Sequence, residues 1–267
     1  MRPQDLDLVL DWAASEGWNP GLDDAAAFLD ADPDGFLMKW VQGRPVAAIS
    51  VVNHAADHAF LGLYICSPDS RGQGHGMDVW LAGLAHARGR SVGLDGVPAQ
   101  QANYEVSGFR RAGCTQRLTG TLPVTAGWGM RTPDVQDLAA LAARDHWLQG
   151  YARPAFLAAW TADCPTRRTL VCGGGTGLAY ATGRRCRSGV KIGPLYAPDA
   201  ATALSLIAVL ADGDEVSVDV PEASADLHGA LTAEGFTAAF ETARMYRGPA
   251  PAAQSAPFQA VATLELG

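Results

Sequence analysis

The second half of the chain repeats landmarks of the first, in the same order and at nearly one spacing. Leu195-Tyr196-Ala197-Pro198-Asp199 echoes Tyr64-Ile65-Cys66-Ser67-Pro68-Asp69, and Val216-Ser217-Val218-Asp219-Val220-Pro221 echoes Val92-Gly93-Leu94-Asp95-Gly96-Val97-Pro98. Glu234-Gly235-Phe236 then echoes Ser107-Gly108-Phe109. The offsets are 130 from Pro68 to Pro198, 123 from Pro98 to Pro221 and 127 from Phe109 to Phe236. Self-similarity at a fixed period marks one supersecondary plan written twice. The 267 residues therefore predict two copies of an α/β domain, residues 1–124 and 125–267, each long enough for its own core.

Hydrophobic periodicity fills in the plan. Leu6, Val9, Leu10, Ala13 and Gly17 share one face of a helix over residues 3–18, with a second helix over Leu22–Leu29. Strands follow at Gly35–Val41, Val46–Val52 and Ala59–Cys66. The stripe Met77, Trp80, Leu81, Leu84 and Ala85 makes the next segment helical, and a strand Ser91–Val97, a helix near 99–107 and a strand from Phe109 complete the copy. In the second copy Ala200, Ala203, Leu204, Ile207 and Ala208 share a helix face, and Val261–Leu266 is a closing strand.

Composition narrows the class of partner. A net charge of −8, from 28 acidic and 20 basic residues, argues against a nucleic-acid or anionic-membrane binder. It is compatible with a cationic small molecule. No run of 18 apolar residues is present, and Met1-Arg2-Pro3-Gln4-Asp5 lacks the layout of a secretion signal. The five scattered cysteines contain no CxxC pair, which points to free thiols in a reducing, cytoplasmic setting and to no metal site.

Chemistry concentrates in Arg71-Gly72-Gln73-Gly74-His75-Gly76, between an apolar strand and an amphipathic helix. Glycines let backbone N–H groups converge on a ligand, the helix N-terminus adds its positive end, and Arg71 adds a forked cation. A pyrophosphate suits such a cradle. The Walker loop is excluded because no Gly-Lys-Ser/Thr follows, and the dinucleotide fingerprint fits poorly because the third glycine comes one place early.

This loop, with Tyr104-Glu105-Val106-Ser107-Gly108-Phe109 downstream, resembles the GNAT family of acyl-CoA-dependent N-acetyltransferases over residues 1–120. The family patterns are Arg/Gln-x-x-Gly-x-Gly/Ala and Tyr-x-x-x-Gly-Phe, and both are met at every fixed position. Ile192-Gly193-Pro194-Leu195-Tyr196-Ala197 and Leu264-Glu265-Leu266-Gly267 resemble bacterial tandem-GNAT proteins, whose C-terminal copy is degenerate. The resemblance implies two tandem domains, each a mixed, mostly antiparallel sheet flanked by helices.

It also implies a site. The amides of Gly72, Gln73, Gly74, His75 and Gly76, with Arg71, hold the pyrophosphate of acetyl-CoA; the main chain of Ile65 and Cys66 binds its pantetheine arm; an amine attacks the thioester directly, and Tyr104 protonates the departing thiolate. A phenol with a pKa near 10 suits that last step. No carboxylate stands on Ala59–Tyr64, where many family members carry a glutamate base. His58, just before that strand with His54, takes the amine's proton directly or through water, or else both are exposed hairpin histidines and a water chain to bulk removes it.

The second copy has Ala200-Ala201-Thr202-Ala203 in place of the arginine and glycines, and Leu231 in place of the tyrosine. One acetyl-CoA per chain is expected, with the second copy forming a wall of the acceptor pocket. Asp145, His146, Tyr151 and Arg153 form a polar–aromatic set that orients a substrate ammonium or carboxylate, or else are ordinary helix-end residues. Glu16, Asp23 and Asp24 attract a cationic acceptor or cap helices, and Trp12, Trp18 and Trp40 line an entrance or pack in the core. Cys172–Gly177 looks like a phosphate loop but precedes a strand and reads better as a hairpin turn or bulge, with Arg184, Arg185 and Arg187 at a solvated hairpin tip or else at a residual anion site. The expected activity is acetylation of a small-molecule primary amine (an amino acid, polyamine or amine antibiotic) by a monomer or homodimer without metal. The alternatives are a protein N-acetyltransferase and a non-catalytic acyl-CoA sensor.

Overall fold

The computed structural model describes residues 1–127 and 129–267. The first half runs through α1 (Pro3–Ser15), α2 (Asp24–Ala31), β1 (Phe36–Val41), β2 (Arg44–Asn53), β3 (His58–Cys66), α3 (His75–His86), β4 (Ser91–Gly96), α4 (Gln101–Val106) and β5 (Arg110–Gly120). The second runs through α5 (Val135–Gln149), α6 (Pro154–Thr161), β6 (Arg167–Cys172), β7 (Ala179–Arg185), β8 (Val190–Ala197), α7 (Ala200–Ala211), β9 (Val216–Pro221), α8 (Ala225–Ala233), β10 (Thr237–Arg247) and β11 (Phe258–Ala260).

The strands form one sheet in the order β1-β2-β3-β4-β10-β5-β9-β8-β7-β6, with β11 beside β8. It is antiparallel except for β3–β4 and β8–β9. Each half gives its last long strand to the other: β10 pairs with β4, β5 pairs with β9, and β10 and β5 pair with each other at the centre. Two ion pairs, one buried and one part-buried, repeat the exchange. Arg244 of β10 grips Asp95 of β4 through two hydrogen bonds of 2.8 Å, and Arg117 of β5 grips Asp219 of β9 at 2.8 and 2.9 Å. Removing one member of such a pair strands a buried charge, at a cost of about 3–5 kcal/mol.

One core lies under α3 and α4 and another under α7 and α8. A third joins the halves on the opposite face, where α1, α2 and α6 meet. There Phe28 of α2 stacks on Trp160 of α6, with ring centroids 5.7 Å apart. The α1 stripe Leu6, Val9, Leu10 and Ala13 is buried in it, and the Arg2–Asp5 pair caps that helix.

Three readings of the sequence change. The helix expected at Leu22–Leu29 is α2, starting at Asp24, because the Asp24 carboxylate accepts from the Gly21 N–H at 2.8 Å and the chain turns there. The closing strand expected at Val261–Leu266 is β11, three residues earlier, and the Gly267 N–H turns back onto the Thr263 carbonyl. Arg184 is not at a solvated tip but buried: its guanidinium pairs with Asp24 and lies 4.4 Å from the Trp160 ring centroid. Arg185 and Arg187 are exposed and pair with Asp214 and Asp11.

His58 sits in the seam between the halves, 3% exposed, with its ring 4.0 Å from that of Tyr151. Its Nε2 has no partner among the described residues. Burial, aided by nearby Arg244, pulls its pKa down to about 4, and burial with nearby Arg153 pulls that of His54 to about 3. Between the ordinary value near 6.5 and these values the unfolded chain binds more protons, so acid favours unfolding. Asp5 and Asp137, held near 2 chiefly by hydrogen bonds from Arg2 and Arg131, act only below about 4. Equilibrium denaturation should therefore show stability falling from pH 6.5 towards 4, by up to about 1.4 kcal/mol per pH unit for His58. His58→Phe should reduce that slope, leaving the part due to His54; an unchanged slope would remove His58 as a source.

Candidate active site

The parallel pairing of β3 with β4 ends at Leu61–Leu94. Beyond it the strands part. A bulge in β3 drives the separation: the register against β2 slips between Ala48 and Ser50, and Leu63 takes φ +46. The slot that opens leads at one end to the glycine loop. Gly72 and Gly74 adopt φ of +74 and +84, conformations that favour glycine, and Gly74 is the N-cap of α3. The N–H groups of residues 72–76 make no hydrogen bond among the described residues. Gly76 lies so close to the end of β3 that a Cβ there would stand 2.7 Å from the Tyr64 hydroxyl.

Arg71 leans over this loop. Its Nε donates to the Cys66 carbonyl at 3.3 Å, and its guanidinium pairs with Glu16, just past the end of α1. Both side chains of that pair are partly exposed, so it is worth about 0–1 kcal/mol.

A cavity of about 670 Å³ runs from the loop through the slot into a chamber between the halves. The first half contributes Glu16, Trp18, the β3 segment Leu61–Cys66, Asp95 and Tyr104; the second contributes Phe240, Thr242, Leu264 and Glu265; Arg117 comes from the exchanged β5. Trp18 is pinned by its carbonyl, which accepts from Lys191 Nζ at 2.6 Å and from Arg117 at 3.3 Å. Tyr104 stacks on Trp80, and its ring packs close to Gly96, where a Cβ would meet it at 3.0 Å. Its hydroxyl has no hydrogen-bond partner among the described residues. Burial raises its pKa to about 12, so it stays a proton donor at neutral pH.

The structure thus brings together Ile65, Cys66, Arg71, the loop glycines, Tyr104, Glu16 and Trp18. It leaves His58 outside the cavity, buried against Tyr151. Asp145, Tyr151 and Arg153 also lie away from its lining: Arg153 and Asp145 form an ion pair with side chains 0% and 1% exposed, and Arg153 also donates to the Gly267 carbonyl. His146 is exposed on α5, Asp24 is neutralised by Arg167 and Arg184, Trp12 packs on the core and Trp40 is exposed on β1. Arg117, Phe240, Thr242 and Glu265 were not foreseen. Only Glu265 lay in a run that stood out in the sequence; the other three reach the cavity through the strand exchange.

The second half has the same slot, and it is filled. β8 and β9 pair only from Val190–Val216 to Ile192–Val218, and β11 then pairs with β8 over Leu195–Ala197 while the Val261 N–H donates to Asp219 of β9 at 2.9 Å. At the N-terminus of α7 the Asp199 carboxylate accepts from the Thr202 N–H at 2.8 Å, so a negative side chain occupies the place that the loop amides leave open at α3. Among the described residues no group of three or more His, Cys, Asp or Glu is placed to hold a metal.

Comparison with known proteins agrees with this geometry. The Acetyltransferase (GNAT) family matches residues 5–109, and the Acetyltransferase (GNAT) domain matches residues 142–257. A relative from Pseudoalteromonas sp. (strain SANK 73390), named holothin acyltransferase, is 34% identical over 271 residues, covering 99% of this chain and 92% of that protein. A putative acetyltransferase from Pyrococcus horikoshii superposes with a TM-score of 0.81 at 17% identity, over 100% of this chain and 94% of that one. A tandem GNAT protein from the clavulanic acid biosynthesis pathway superposes with a TM-score of 0.59 at 17% identity, over 93% and 98%. The chain belongs to the GNAT family, as a tandem member, and is an acyl-CoA-dependent acyltransferase.

With one slot open and one filled, calorimetric titration should give one acetyl-CoA per chain; two would contradict the account. Arg71→Ala should weaken acetyl-CoA binding about 10–100-fold, the usual loss of a charge-assisted contact.

Proposed function

We propose that the protein moves an acetyl group from acetyl-CoA to the primary amine of a small molecule, with residues 1–124 binding the cosubstrate and residues 125–267 walling the acceptor chamber. The observation that carries this reading is the continuity of one cavity from the loop amides, past Tyr104, to a chamber closed by the other half. The pantetheine end and the acceptor must share about 670 Å³, which favours a small acceptor over a folded protein. The relative named for acylating holothin makes that compound one candidate acceptor.

In this reading the diphosphate lies on the amides of residues 72–76 with Arg71 beside it. The exposed main chain of the β3 bulge, around Ile65 and Cys66, takes the pantetheine arm as a further strand would. The thioester then lies where β3 and β4 part. The amine attacks the carbonyl carbon, the C–N bond forms as the C–S bond breaks, and Tyr104 delivers its proton to the sulfur. Burial, aided by nearby Tyr64, keeps the Tyr104 phenol neutral until that moment. Acetyl-CoA as cosubstrate also favours a cytoplasmic setting.

Thiol release with acetyl-CoA and a panel of amino acids, polyamines, amine antibiotics and holothin tests the proposal. At least one should be acetylated, and Tyr104→Phe should lower kcat about 10²–10⁴-fold while leaving acetyl-CoA affinity intact. Cosubstrate binding with no turnover on any acceptor would make the protein an acyl-CoA sensor instead.

A further inference from the structure

Three carboxylates line the cavity: Glu16, Asp95 and Glu265. Arginine answers the first two, Arg71 for Glu16 and Arg244 for Asp95. Glu265 differs. It is 7% exposed, and among the described residues its one side-chain hydrogen bond comes from the Thr263 hydroxyl, which donates to Oε2, while Arg117 and Lys191 act on it from beyond ion-pair distance. No arginine, lysine or histidine lies within ion-pair distance of it among the described residues.

Its position is fixed from the backbone. The main chain of Glu265 runs so close to β3 that a Cβ on Gly62 would stand 2.1 Å from the Glu265 carbonyl oxygen. Gly62 directly precedes the bulge residue Leu63, where β3 and β4 separate. The carboxylate therefore stands at the inner end of the slot, where the thioester arrives in the proposed reaction. Thr242 lines the same cavity; it is 3% exposed, and its Oγ1 is buried without a partner among the described residues. A buried hydroxyl left unpaired costs about 1–3 kcal/mol, which a ligand's polar atom can recover.

Resting on the acetyl-transfer reading, we propose that Glu265 receives the acceptor's amino group and takes its proton, and that Thr242 hydrogen-bonds a second polar atom of the acceptor. The carboxylate left vacant on β3 by this sequence is thereby supplied from the C-terminal segment of the other half. The step balances: the ammonium gives one proton to the Glu265 carboxylate, which passes it to water; the neutral amine nitrogen bonds to the carbonyl carbon and gives its second proton to Glu265; and the C–S bond breaks as CoA leaves with the Tyr104 proton. Glu265 then releases its proton to water and the phenolate regains one. The acceptor class is a compact primary amine with one further hydrogen-bonding group and an apolar body that fits between Trp18 and Phe240.

The test uses the full chain with acetyl-CoA and tyramine, benzylamine, glycinamide and spermidine as probes. Glu265→Gln keeps the acceptor for Thr263 and should fold, as acetyl-CoA affinity equal to wild type would verify. It should lower kcat about 10²–10⁴-fold on the amine that wild type turns over fastest, with Glu265→Asp recovering part of the loss. Thr242→Val should raise the KM of tyramine or glycinamide about 3–10-fold with kcat unchanged. Wild-type kcat in Glu265→Gln would overturn this inference and leave the acetyl-transfer reading standing. No turnover of any probe by wild type would overturn this inference for these amines, and failure on the wider panel would remove the acetyl-transfer reading as well.

Discussion

The exchange of β10 and β5 is the constraint on which the rest of the molecule depends. A parallel pair that parts half-way, as β3 and β4 do, leaves β4 with an unsatisfied outer edge as well as a slot on its inner one. β10 satisfies that outer edge, and β5 does the same for β9. Each half is therefore completed by the other, and the two arginine–aspartate pairs at equivalent positions clamp the exchange from both sides. Because β10 carries Phe240 and Thr242 into the cavity, the strand that completes the sheet also builds the chamber wall. The same strand exchange completes the sheet and the wall of the cavity.

Repetition makes the differences between the halves informative. Both slots open at the same point of their sheets, and both carry a glycine against which the C-terminal segment packs: Gly193 under Val261 and Gly62 under Glu265. In the second half this segment enters the slot as β11 and fills it. In the first half it crosses the slot's inner end and delivers a side chain. A single stretch of about ten residues thus fills one slot and lines the cavity at the other. Asp199 adds a second difference by placing negative charge at the start of α7, where α3 has open loop amides.

Much of this was legible in the sequence because it is encoded locally. The loop Arg71–Gly76 needs glycines at positive φ, and Tyr104 stands at a fixed spacing from Gly108-Phe109, so both announce themselves along the chain. The echo of Val92–Pro98 in Val216–Pro221 disclosed two copies of one plan. It did not disclose that their strands are exchanged, because β4 has the same alternation whether its neighbour is β5 or β10. Residues read as acceptor ligands for their polar character, Asp145, Tyr151 and Arg153, belong instead to the buried seam, since a helix-end ion pair looks the same in sequence whether it faces a ligand or a partner element. Conversely Thr242 and Phe240 carry no local signal, and only the register of β10 brings them to the site.

The most direct measurement is a crystal structure of the protein with CoA and an acceptor analogue. The account predicts a single cofactor in the slot between β3 and β4, its diphosphate on the amides of residues 72–76, its sulfur beside the Tyr104 hydroxyl, and the acceptor in the chamber walled by Phe240 and Glu265. A cofactor seated between β8 and β9 in place of β11, or a sulfur remote from Tyr104, would contradict it.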